Sequence, residues 1–199
     1  MVLIKNNQEN DEQLIIDYLN GDNEAFSELV KDYLKPIYNF IFRLTKNTQE
    51  SEDITQETFL KVWKNIKKYR KGENFKTWIF TIARNTTIDW LRKKKNLTFS
   101  DFENKDGSNT FEENITDPEP LSDELIAIIE DKKLIEDLLK QLSPLYQEIL
   151  FLHYNEQLTF SDMGKILNKS TDTVKSQHRR ALIMLRKIID KQKIQKIIN

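Results

Sequence analysis

The chain has 199 residues, with 31 basic and 32 acidic side chains and a formal net charge of −1. It has no cysteine, which excludes disulfides, zinc–thiolate sites and iron–sulfur clusters. Four glycines and four prolines among abundant Leu, Ile, Lys and Glu favour an all-α fold, in a length that holds one large or two small domains. No apolar run approaches the ~20 residues of a membrane span, and MVLIKNNQENDE turns acidic after three apolar residues, unlike a signal peptide. The expectation is a soluble, cytoplasmic protein with no direct membrane insertion.

In chain order, helical periodicity begins near Glu12. Asp22 can cap a second helix whose apolar side includes Leu29, Tyr33, Ile37, Phe40 and Ile41, with Pro36 expected to kink or break it near Lys35. A third helix from about Gln49 sets Ile54, Phe59, Val62, Trp63 and Ile66 on an apolar side. KKYRKGEN (67–74) reads as a loop in which Gly72 is the permissive residue. The fourth helix carries Phe75, Trp78, Ile79, Ile82 and Thr86 at helical spacing. It ends on Arg92 to Lys95, cations that suit a helix C-terminus. Periodicity fails from Asn96 to about Ser122, where acidic residues, Asn, Gly, Ser and two prolines read as a linker. It returns near Asp123. Ser143-Pro144 is a helix start, Thr159 to Asp162 is like a capping box, and Ser170 can cap a last helix that turns Val174, Ala181, Leu185 and Ile188 inward. The expected organisation is two small helical domains, at 10–95 and 125–190, joined by a flexible acidic linker at 96–124.

Near-neutrality hides segregation. Residues 61–99 hold 12 basic and 2 acidic side chains and residues 165–199 hold 10 and 2, whereas residues 100–131 hold 1 and 11. Two basic blocks separated by an acidic one imply two polyanion-facing surfaces. As a random coil the linker would span roughly 28 Å, and its own charge favours a more stretched chain.

Chemistry-bearing residues follow the same blocks. LTFSDMGKILNKSTDTVKSQHRRALIMLR (158–186) has a short helix, the turn Asn-Lys-Ser and a longer helix, a helix-turn-helix candidate. Thr171, Thr173, Lys175, Ser176, Gln177, Arg179 and Arg180 fall largely on the polar side of the second helix, with the groups that read bases and clamp phosphates. A solvated basic helix fits the same spacing. Asp53, Gln56 and Glu57 share one helix face, either as a solvated acidic helix start or as partner-facing groups. Between 61 and 95 cations interleave with aromatics, as suits single-stranded DNA. Spacing puts Trp63, Phe75 and Trp78 in the core; Tyr69, in a basic loop, is the better stacking residue, and the Asn85 amide suits a base edge.

These segments carry a resemblance. Residues 158–186 resemble the region 4 helix-turn-helix of sigma-70 family transcription initiation factors, centred on TVKS at Thr173–Ser176 and RA at Arg180–Ala181. ESEDITQETFLKVWKNIKKYR (50–70) and FKTWIFTIARNTTIDWLRKK (75–94) resemble that family's region 2. Two such domains in this order, with no region 3 between them, resemble the extracytoplasmic-function (ECF) group. The resemblance implies a factor without catalytic residues, metal or cofactor that binds core RNA polymerase through the β′ clamp helices and the β subunit. It would recognise −10 and −35 promoter elements, as single-stranded and duplex DNA, and promote melting. Asp53, Gln56 and Glu57 match the family's D-x-x-Q-E-x-F contact with the clamp helices, with Phe59 and Leu60 beside them. Lys67, Lys68, Tyr69, Arg70 and Asn85 would hold an extruded −10 base, and the seven residues of the last helix named above would read the −35 element. An anti-sigma factor is implied as a partner by the resemblance alone, as is a linker path through the polymerase cleft. Asn168-Lys169 replaces the usual Gly-Ile of the turn, Gln177 stands where Arg is common, and His178 where an apolar residue is usual.

Two other readings fit less of the chain. A free-standing helix-turn-helix regulator leaves the 50–70 pattern unused and calls for a palindromic site bound by a dimer. An enzyme lacks a constellation: His153 and His178 lie on different expected helices, and the scattered glycines make no phosphate loop.

Overall fold

The computed structural model describes residues 8–70, 72–95 and 137–198; the expected linker lies outside them. Among the described residues every regular element is helical: α1 (Gln8–Leu19), α2 (Asn23–Thr45), α3 (Thr48–Asn65), α4 (Phe75–Lys95), α5 (Pro144–Leu150), α6 (Phe160–Leu167) and α7 (Thr171–Ile198). A 3-10 turn at Ile66–Lys68 follows α3, and a π turn at Phe151–Asn155 follows α5. The described residues divide into two compact units, one that holds 8–95 with 161–169 and one that holds 137–160 with 170–198.

In the first unit α2 packs against α1, α3 and α4. Its buried face, Leu29, Tyr33, Ile37, Phe40 and Ile41, is the stripe that the sequence periodicity requires. Asp22 caps it as expected, its Oδ1 accepting from the Glu24 N–H at 2.9 Å. The expected break at Pro36 does not occur: α2 runs through it as one helix. Proline there removes one backbone donor, and burial of the stripe on both sides of it holds the helix together. α2 stops at Lys46, whose N–H still donates to the Phe42 carbonyl at 2.9 Å while its left-handed φ of 55° turns the following chain out of the helix. Asn47 then caps α3 through the Glu50 N–H at 3.0 Å.

The inward face of α3 mixes Ile54 and Val62 with Ser51, Thr55 and Thr58, all buried. Each hydroxyl donates to the carbonyl four residues back, at 2.5, 2.6 and 2.8 Å respectively, so small polar side chains sit in the core without an unsatisfied donor. α1 begins at Gln8, before the expected Glu12, and buries the carboxyl of Asp11.

The second unit is built on α5 and α7. Leu142, Tyr146 and Leu150 pack with Ala181, and Leu182, Leu185 and Ile188 extend that contact along α7. Ser143 caps α5 and Ser170 caps α7, the latter accepting from the Thr173 N–H at 3.1 Å. Residues 161–169 bury Met163, Ile166 and Leu167.

Candidate nucleic-acid and partner interfaces

Three surfaces carry the residues singled out by the sequence. On α3 the buried face leaves an opposite sector outward. At about 100° per residue Trp63 falls about 180° from Ile54, and Asp53, Gln56, Glu57 and Leu60 fill the same side. Gln56 is exposed, Asp53, Glu57 and Phe59 are partly so, and Leu60 and Trp63 remain 54% and 50% exposed. The expectation that Trp63 is core is therefore wrong. Its neighbour Val62, one helical step nearer the buried face, is buried. Gln49 donates to Asp53 at 3.3 Å and Lys61 pairs with Glu57 at 2.9 Å, so the acids are held in place yet accessible. An acidic sector with two large apolar side chains offers both charge and burial to a partner.

The second surface is the stretch between α3 and α4. Lys67, Lys68 and Arg70 are exposed. Part of the expected loop is the 3-10 turn, closed by the Tyr69 N–H to the Ile66 carbonyl at 3.1 Å. Gly72 takes φ +90°, a conformation that other residues rarely adopt, and its N–H donates to Glu12 Oε1 of α1 at 2.9 Å. Asn74 caps α4, accepting from the Thr77 N–H at 3.1 Å. Tyr69 is not a free ring. It is half-buried, edge-on to Phe75 at 5.7 Å and tilted against Trp78 at 5.7 Å, and its hydroxyl donates to the Glu73 carbonyl. Burial, with Glu12, Asp11 and Glu73 nearby, pushes the phenol pKa up to about 12, so it stays a donor.

Asn85 is exposed on α4, between the buried Arg84 and Thr86. It follows Trp78 by about two turns, on the same side of α4 and roughly 10 Å further along its axis. Tyr69 and Asn85 thus belong to two stations along one helix face. Phe75 is buried and Trp78 partly so, in line with their core assignment. Behind this face Tyr33 packs edge-on to Phe75 at 5.2 Å and donates to Asp11 Oδ2 at 2.5 Å. Burial pushes the Asp11 pKa up to about 6; Asp32 adds to the rise, while the Tyr33 hydrogen bond and Lys76 oppose it. Nothing in the local pattern at Asp11 or Glu12 marks either residue, since both read as ordinary acids near a helix start.

The third surface is the start of α7. Thr173, Lys175 and Ser176 are exposed, and Thr171, Arg179 and Arg180 are half-buried. Thr173 shares a hydrogen bond with the capping Ser170 hydroxyl at 2.7 Å, and Lys175 lies 3.7 Å from Asp172. Gln177 corrects the expected polar face: it is 8% exposed, its Oε1 buried with no hydrogen-bond partner among the described residues. His178 is the next inward position. Its ring lies 4.8 Å from His153, 5.1 Å from Phe160 and 5.6 Å from Tyr154, and burial, with His153 adding, lowers its pKa to about 4. A neutral imidazole in an aromatic cluster does the work of an apolar residue, which accounts for the departure noted at this position.

The turn before α7 explains the other departure. Asn168 has φ +54°, and Lys169 N–H donates to the Gly164 carbonyl at 2.9 Å, the six-to-one bond of a helix end closed by a left-handed residue. Glycine is the usual occupant of that conformation and asparagine the next best.

Among the described residues no group of three or more His, Cys, Asp or Glu side chains is arranged to hold a metal ion, and no helix is long and apolar enough to cross a membrane.

The chain matches the family patterns Sigma-70 region 2 over residues 29–97 and Sigma-70, region 4 over residues 132–185. It is 32% identical over 169 residues to the ECF RNA polymerase sigma factor SigW of Bacillus subtilis, covering 84% of this chain and 90% of that protein. It is 31% identical over 153 residues to the ECF RNA polymerase sigma factor SigM of the same organism, covering 76% and 87%. Among solved structures, the fold is like that of CnrH in complex with the cytosolic domain of CnrY, with a TM-score of 0.62 at 18% identity over 90% of this chain and 97% of that one. It is also like the sigma factor RpoE in complex with the anti-sigma factor NepR from Bartonella quintana, with a TM-score of 0.61 at 24% identity over 84% and 98%.

Proposed function

We propose, for a chain that belongs to the ECF group of the sigma-70 family, that it binds core RNA polymerase, directs it to promoters and assists melting. The observation that carries this is the order of matches, region 2 then region 4, over a chain similar along most of its length to ECF sigma factors. The outward sector of α3, with Asp53, Gln56, Glu57, Phe59 and Leu60, is assigned to the polymerase β′ clamp helices, and Trp63 joins it. A regulator that binds duplex DNA alone gives this sector no task.

Lys67, Lys68 and Arg70 are assigned to the phosphates of the −10 strand, and Asn85 to an unstacked base. Tyr69 gives the wall on which a base stacks; this wall and Asn85, two stations along the face of α4, suit a few nucleotides of single strand rather than one residue pair. The start of α7 is assigned to the −35 element, Thr171, Thr173, Lys175 and Ser176 facing the groove and Arg179 and Arg180 the phosphates; Gln177 supports the helix from within. The residues 10–95 and 125–190 are the proposed promoter-binding domains, the 96–124 stretch their tether. No step here is catalytic, since bond formation belongs to the core enzyme. The partners are core polymerase, promoter DNA and an anti-sigma factor, which sets the work in the cytoplasm.

Run-off transcription from native promoters with purified core enzyme tests the reading. Transcripts that depend on this chain are expected, and their absence from every promoter would overturn it. Asp53→Ala with Glu57→Ala, and separately Trp63→Ala, should reduce co-purification with core while leaving the helical content intact.

A further inference from the structure

We propose that Glu12, on α1, is a positioning residue for −10 recognition, bracing the backbone between α3 and α4. The inference rests on the assignment of that stretch and Asn85 to the −10 strand. It begins with a closed circuit of contacts. Gly72 N–H donates to Glu12 Oε1 at 2.9 Å. The adjacent Asp11 accepts from Tyr33, Tyr33 packs on Phe75, Phe75 packs on Tyr69, and the Tyr69 hydroxyl returns to the Glu73 carbonyl. Two consecutive acids of one helix thus hold the segment at both its backbone and its aromatic wall.

The brace has a physical reason. Gly72 sits at φ +90° with nothing within 4 Å of the place a Cβ would take, so packing does not impose this conformation. A glycine in open space retains many backbone states, and a fixed acceptor is what selects one. Ordering the segment before DNA arrives removes that entropy from the binding step. The region 2 match begins at residue 29 and so leaves α1 outside it.

The experiment uses the full chain with core enzyme on a duplex promoter fragment that it transcribes. Open complex is read by permanganate reactivity of unpaired thymines, on the matched −10 element and on one with substituted bases. Glu12→Ala should lower opening about 2- to 10-fold, the worth of one hydrogen bond, and narrow the ratio between matched and substituted elements. Glu12→Gln keeps a carbonyl oxygen for Gly72 and should restore both readouts. Glu9→Ala removes an exposed acid from the same helix and should leave both unchanged. Wild-type opening and selectivity in Glu12→Ala, or equal losses in the Ala and Gln variants, overturn the brace. Asn85→Ala in the same assay separates the two layers. If it loses opening while Glu12→Ala does not, the brace alone falls; if neither variant loses it, the −10 assignment falls as well.

Discussion

The two turns that precede the proposed DNA-facing helices are closed by different means. Before α7, Asn168 supplies the left-handed residue, Lys169 returns to Gly164, and Ser170 caps the next helix. Every partner lies within six residues in sequence. Before α4, Gly72 supplies the positive φ, but its N–H is taken by Glu12, sixty residues away, and its wall is built from α1, α2 and α4. The hydrogen bonds that close the first turn are all local in sequence. The second exists only once its unit has packed.

The largest expected effect comes from removing the wall. Tyr69→Ala should cost about 2–3 kcal/mol of stability, since a half-buried ring leaves Phe75 and Trp78. It should also reduce open complex by about 5- to 150-fold, the range for one stacked base. Tyr69→Phe keeps the ring and loses the bond to the Glu73 carbonyl, so stability should fall by only about 1 kcal/mol. Thermal melting beside permanganate footprinting separates the two losses. If Tyr69→Ala melts like the native chain, the wall does not hold the segment and the contrast between the turns disappears.

Backbone strain comes next. Gly72→Ala meets no atom but must adopt a φ of +90°, at a cost of about 1–2 kcal/mol. Asn168→Ala should cost about 1 kcal/mol, and Asn168→Gly should be neutral or stabilising. Combining each alanine with Glu12→Ala sharpens the comparison. The Gly72 pair should be non-additive because its members share one hydrogen bond, whereas the Asn168 pair should add within about 0.5 kcal/mol. Denaturant melts of the four variants and two doubles decide it.

A smaller effect belongs to Asp11. Its folded pKa of about 6 lies above the ordinary 3.8, so the fold favours the protonated form. Its contribution to stability is full below about pH 4 and is lost as pH rises to about 6. Asp11→Asn keeps an oxygen for the Tyr33 hydroxyl and cannot ionise. The melting temperature of the native chain minus that of the variant should therefore fall across this window and level off above it. A difference that is flat with pH would show that the buried carboxyl does not titrate with folding. The smallest effect is at α7, where Gln177→Leu relieves a buried unpartnered oxygen and should raise stability by about 1 kcal/mol or less. Its affinity for upstream duplex, measured by fluorescence anisotropy, should not change; a clear loss would return Gln177 to the reading surface.

Features that depend on neighbours within a turn or two could be read before any fold was known. The caps at Asp22, Ser143 and Ser170, the stripe of α2 and the basic character of Lys67 to Arg70 were all legible, because capping, periodicity and charge are local properties. Trp63 is misread as core from its apolar ring beside Val62, although its helical angle, opposite Ile54, points it outward. Tertiary structure decided the rest. It carried α2 through Pro36, placed Tyr69 in a ring cluster, turned Gln177 inward, held His178 neutral and joined Glu12 to Gly72. Each of those outcomes depends on which distant surface a side chain meets. A residue's desolvation and its hydrogen-bond partner are set by that meeting, and no pattern within one helix encodes it.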